Sequence, residues 1–124
     1  MKVYYAHCQA IYGKPIEQRD IALLESLGFE VVNPGLPEHG TACKAFAAEN
    51  LGFTKMDYFI KLVRGCDALA FRALYDGSIP IGVVKEIECA KHDRKPVIEL
   101  PSGMQLRALT LEQTREYLGE IGQR

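Results

Sequence analysis

Apolar positions change period along the chain, and the changes mark out alternating strands and helices. The opening "KVYYAHC" is a short apolar and aromatic run, which predicts a buried strand. In "PIEQRDIALLESLG", Pro15 suits a first helical turn, Ile16, Ile21, Leu23, Leu24 and Leu27 give a helical stripe, and Gly28 is a stop signal. "FEVVNPG" predicts a second strand ended by Pro34 and Gly35. Thr41 is a candidate cap for a short helix running through Asn50, with Gly52 after it. "FTKMDYFIKLVRGC" predicts a firmer helix, with Phe53, Met56, Ile60 and Val63 on one face. "DALAFRA" predicts a third strand, "LYDGSIP" a turn, "IGVVKEIECAKHD" a helix and "KPVIEL" a fourth strand. "TLEQTREYLGEIG" predicts a final helix capped by Thr110.

Strands that alternate with helices imply βαβ units. The expected fold is α/β: a small doubly wound, mostly parallel sheet of four to five strands, Rossmann- or flavodoxin-like, with helices on both faces. No linker, repeat or low-complexity stretch divides the chain, so residues 1–124 read as one domain. Sheets of this kind bind ligands beyond the C-terminal strand ends, at the switch point. That rule selects the loops "HCQAIYGK", "NPGLPEHG" and "RALYDGSIPIG".

Composition narrows the function classes. A net charge of -1 gives no basic field for a nucleic acid polymer and no acidic tail. The first apolar run is too short for a signal peptide or a membrane span, so a cytoplasmic protein without a membrane partner is expected. Cys8, Cys43, Cys66 and Cys89 form no C-x-x-C pair, and His7, His39 and His92 are equally scattered. Their spacing predicts neither a disulfide framework nor a metal site.

Two glutamates, Glu86 and Glu88, are the candidates for chemistry. On a helical wheel Val83, Ile87 and Ala90 form an apolar stripe, with Glu86 roughly 70° and Glu88 roughly 130° from its centre. Glu86 therefore falls at the core margin and Glu88 on the solvent side, near Lys85 and His92. Gly82 leaves the helix entry free of a side chain, so a ligand can approach the backbone there. A half-buried carboxylate in that place is suited to nucleophilic or general-base work, or to favouring the helix dipole.

The pattern Gly82, Glu86, Ala90 followed by "KPVI" resembles the nucleoside 2-deoxyribosyltransferase family, which includes the 2'-deoxynucleoside 5'-phosphate N-hydrolases. "VYYAHCQ", "LESLGFEVVNP" and "CDALAF" are similar to that family's first strand, helix-to-second-strand passage and third strand. The likeness runs in order over about residues 1 to 100. It implies cleavage of an N-glycosidic bond of a nucleoside or nucleoside 5'-monophosphate, by hydrolysis or by transfer to a second base. It also implies Glu86 as nucleophile, Tyr4 as the residue holding it, Asp57 as the acid beside the leaving group or sugar, no cofactor, and a homodimer with a shared site. Val84 and Glu88 stand where the family has glycines, and Pro80 where it has an acidic or hydroxyl residue. The loop after the third strand is therefore rebuilt.

The remaining candidates each carry a structural alternative. His7, Cys8, Gln9 and Tyr12 lie in the first loop, as substrate contacts or as a bonded histidine and an exposed tyrosine. Tyr4 and Tyr5 point to opposite faces of a strand, where both could be core packing. Asp57 sits at ion-pair spacing from Lys61. Arg72 is placed to meet a phosphate. Lys14 and Arg19 are phosphate candidates or solvated charges. Ser78, in the "DGS" turn, is a possible substrate contact. A rival reading is a nucleotide-binding or sensing module without turnover.

Overall fold

The computed structural model describes residues 1–50, 52–101 and 110–120. Its strands are β1 (Lys2–Ala6), β2 (Glu30–Val32), β3 (Ala68–Phe71) and β4 (Val97–Glu99). Its helices are α1 (Pro15–Ser26), α2 (Pro37–Glu49), α3 (Lys55–Arg64), α4 (Ile81–His92) and α5 (Leu111–Glu120). The strands form one parallel sheet in the order β2-β1-β3-β4. This is the small α/β Rossmann- or flavodoxin-like architecture expected from the alternation. The end of the predicted last helix, residues 121–122, lies outside the described residues.

The strand order explains the layering. The chain moves from β1 outward to β2, then crosses back past β1 to β3 and on to β4. Right-handed crossovers in opposite directions put their helices on opposite faces. Alternation along β1 then divides the core into two halves. Val3 and Tyr5 pack with Leu24, Ala68, Ala70 and Leu100 on the α1 side. Tyr4 and Ala6 pack with Val63, Leu69, Val83, Ile87 and Ala90 on the α3 and α4 side. The direction reverses between β1 and β3, so the loops leaving these strands part there and open a crevice.

Three local expectations change. Helix α2 starts at Pro37, not near Thr41, because proline fits a first turn whose N–H would have no helical partner. The apolar stripe on α1 holds at Leu24 and at Ile21, which packs against the core, but fails at Leu23 and Leu27. Leu23 and Leu27 are 41% and 64% exposed, and the sheet-facing side is Glu17, Asp20 and Leu24. The face proposed for α3 holds at Val63, but Phe53 precedes the helix and is exposed. Gly28 does end α1, at a φ of 90°.

A candidate active site at the switch point

Tyr4, on the central strand, points toward α4, and its hydroxyl donates a hydrogen bond to Glu86 Oε2. Glu86 is only 7% exposed, deeper than the wheel placed it. The reason is its register: Val83, Glu86 and Ala90 are i, i+3 and i+7, one sheet-facing row. Glu88 is exposed, as expected. No salt bridge to Glu86 is present among the described residues, and Tyr4 supplies its side-chain hydrogen bond. Burial in these surroundings disfavours the anion and lifts the Glu86 carboxyl from 4.5 to about 7, while the Tyr4 hydrogen bond pulls the other way. Burial and the adjacent Glu86 push the Tyr4 hydroxyl far above its ordinary range, so it stays a donor.

Glu86 forms part of the wall of a cavity of about 300 Å³, at the lower end of small-ligand sites and enough for one nucleoside-sized guest. Tyr4, His7, Cys8, Gln9, Tyr12 and Gly82 line it too, which brings seven of the ten sequence-proposed residues together. Met56, Phe59, Pro80 and Val83 complete it with apolar surface.

His7 is buried and held on three sides. Its ring stacks on Tyr5 at 3.8 Å between centroids, and Nδ1 donates to the Tyr5 carbonyl at 2.9 Å. Nε2 lies 2.7 Å from Glu17 Oε2. Because Nδ1 spends its proton on a carbonyl, the Nε2–Glu17 contact must hold a further one, as imidazolium against carboxylate or imidazole against carboxylic acid. Glu17 Oε1 also accepts from the Gly13 N–H at 3.2 Å. This network fixes the first loop beside the cavity.

Three proposed residues fall elsewhere. Asp57 does not face Glu86. Its carboxylate accepts from the Thr54 N–H at 2.6 Å, and the Thr54 hydroxyl accepts from the Asp57 N–H, a capping box at the start of α3. It borders a different cavity, with Phe46, Ile60 and Lys61. The T-x-x-D spacing from Thr54 to Asp57 carried that signal in the sequence. Arg72 crosses to the α1 face, where Nε and Nη2 both bond Asp20 at 2.5 Å. Arg72 also borders a second cavity of about 230 Å³ with Ile11, Ile16 and Leu74. Ser78 is exposed and bonds Asp76 within its turn at 2.6 Å. Lys14 and Arg19 are exposed.

The residues that sequence reasoning missed are Glu17 and Asp20. They sit at i, i+3 and i+7 with Leu24, a readable stripe only if acids are allowed to face the core. Among the described residues no group of three or more His, Cys, Asp or Glu side chains could hold a metal ion, and no helix is long and apolar enough to cross a membrane. Comparison with known protein families, curated proteins and solved structures finds no match to this chain.

Proposed function

We propose that the protein cleaves the N-glycosidic bond of a (deoxy)nucleoside or nucleoside 5'-monophosphate, with Glu86 as the nucleophile. The observation that carries this reading is the buried Tyr4–Glu86 pair in the wall of a nucleoside-sized cavity at the switch point. Breaking an N-glycosidic bond builds positive charge on the sugar, and a carboxylate beneath the anomeric carbon stabilises it. Tyr4 occupies Oε2, so Oε1 is the oxygen available for attack. It bonds to C1' as the C1'–N bond breaks, and the bond's electron pair stays on the base. Water or a second base then attacks C1' and frees the carboxylate. A carboxyl held at about 7 has a substantial anionic fraction at neutral pH, and the growing charge on the sugar favours that fraction. Apolar walls from Met56, Phe59 and Val83 suit the faces of a sugar or a base.

The test is incubation with a panel of deoxynucleosides, ribonucleosides and their 5'-monophosphates, with chromatography for free base. Base release that disappears in Glu86→Gln supports the reading. Binding of a panel member without base release would replace it with a nucleotide-binding module. The same resemblance that suggests the activity suggests a homodimer, and light scattering at micromolar concentration decides that point.

A further inference from the structure

The departing base takes up negative charge, so the site needs a hydrogen-bond donor on the side of the cavity away from the sugar. Asp57 does not supply it, because its carboxylate is engaged at the start of α3 and faces another cavity. Among the cavity's polar groups, the Tyr4 hydroxyl is committed to Glu86, and both His7 nitrogens are committed to Tyr5 and Glu17. Tyr12 is different. It lines the same cavity, and among the described residues its hydroxyl has no hydrogen-bond partner. Its ring is nonetheless held. It meets the His7 ring at 4.8 Å between centroids, tilted by 56°. It also lies so close to Gly35 that a Cβ added there would stand 3.0 Å from Tyr12 Cγ and Cδ1. The glycine at 35 is what lets the ring sit where it does.

We propose that Tyr12 is a catalytic residue, whose hydroxyl donates a hydrogen bond to the leaving base as the C1'–N bond breaks. The inference rests on the glycosidase reading above. Burial and the nearby carboxylates of Glu86 and Glu17 raise the Tyr12 hydroxyl to about 12, so it keeps its proton throughout the working range. The base therefore departs as a hydrogen-bonded anion and takes its proton from solvent. In hydrolysis, the water that attacks C1' loses one proton and restores the balance. Gln9 and Cys8 remain as contacts that can choose among bases.

Leaving-group dependence distinguishes this role from a structural one. Tyr12→Phe removes one oxygen that no described residue bonds, and circular dichroism checks the fold. Two substrates are compared: the nucleoside most active with the wild type, and 4-nitrophenyl 2-deoxyriboside, whose nitrophenolate is a weak base that departs unaided. Tyr12→Phe should lower base release about 10²-fold, the effect of losing one preorganised donor. Its loss on the nitrophenyl substrate should be at least about tenfold smaller, while Glu86→Gln loses both. Equal losses on the two substrates, or no loss on the nucleoside, would overturn the assignment to Tyr12 and leave Glu86 intact. A wild type that releases neither base nor nitrophenolate would overturn the glycosidase reading, and this proposal with it.

Discussion

Two tyrosines adjacent in the chain each donate to a buried carboxylate, on opposite faces of one sheet, with opposite consequences. On the α1 face, Tyr5 donates to Asp20 at 2.5 Å, and Arg72 grips both oxygens of the same carboxylate at 2.5 Å. On the α4 face, Tyr4 donates to Glu86, and no cation accompanies it among the described residues. The first carboxylate has its charge matched and both oxygens occupied. It joins β1, β3 and α1, and little about it invites a ligand. The second is buried without a counter-charge, which lifts its carboxyl to about 7 and leaves one oxygen free beside a cavity. A charge compensated by the protein holds the fold together. A charge left uncompensated stands ready for a substrate that brings positive charge to it.

The comparison is broken most forcefully at Glu86. Glu86→Gln should reduce base release by several powers of ten, since the amide lacks both charge and nucleophilicity. The same variant should be the more stable protein above neutral pH. The folded carboxyl binds its proton more tightly than the unfolded chain, so this group's contribution to stability is greatest below pH 4.5. It declines as the pH rises toward about 7 and then levels off. The loss is on the order of 3 kcal/mol at pH 8, so melting curves should favour Glu86→Gln there and show little difference at pH 4. A wild type more stable than the variant at pH 8 would mean that Glu86 is compensated after all.

The opposite face should respond in stability. Arg72→Met leaves Asp20 buried with only the Tyr5 hydroxyl, and removing one partner of such a pair costs about 3–5 kcal/mol. A fall in Tm of ten degrees or more is expected. A loss under about 1 kcal/mol would show that the pair is not structural.

Tyr4→Phe sharpens the contrast more gently. It removes the hydrogen bond that holds the Glu86 carboxyl down, so that carboxyl should rise further. Activity in the wild type should fall as the pH drops through about 7, because protonation disables the nucleophile. In Tyr4→Phe that acid limb should move to higher pH, with a rate loss of about 10- to 100-fold below it. An unmoved limb would detach Tyr4 from the nucleophile. A smaller effect is expected at Gly82, where an added Cβ meets only Met56 Sδ, at 3.8 Å, an ordinary contact. Gly82→Ala should change Tm by a degree or so yet raise KM, since the methyl occupies cavity space. The smallest effect belongs to Glu88→Gln, a solvated charge worth a few tenths of a kcal/mol, which should leave activity unchanged.

Much of the fold was legible because burial on both faces of a parallel sheet leaves long apolar runs separated by helical periods. Tyr4, Glu86, Gly82 and the first loop were legible for a related reason: strand ends and helix entries follow from those periods. The failures on α1 have a physical cause. Hydrophobic periodicity treats acids as outward-facing and so admits Leu23 and Leu27 to the stripe, whereas Glu17 and Asp20 face inward with partners. Those partners, His7 and Arg72, are ten and 52 residues away in the chain. At Asp57 the resemblance implies an acid, while the T-x-x-D spacing from Thr54 already matches a helix cap.

Periodicity, turn residues and the order of elements were therefore determined by the sequence alone, since each depends on neighbours within a turn or two of backbone. What only the tertiary structure decided is which buried charge is compensated. Asp20 and Glu86 look alike in the chain, each an acid among apolar residues on a helix. Among the described residues the sheet brings Arg72 to one and only the Tyr4 hydroxyl to the other, and an electrostatic environment is a sum over groups that only the fold makes neighbours.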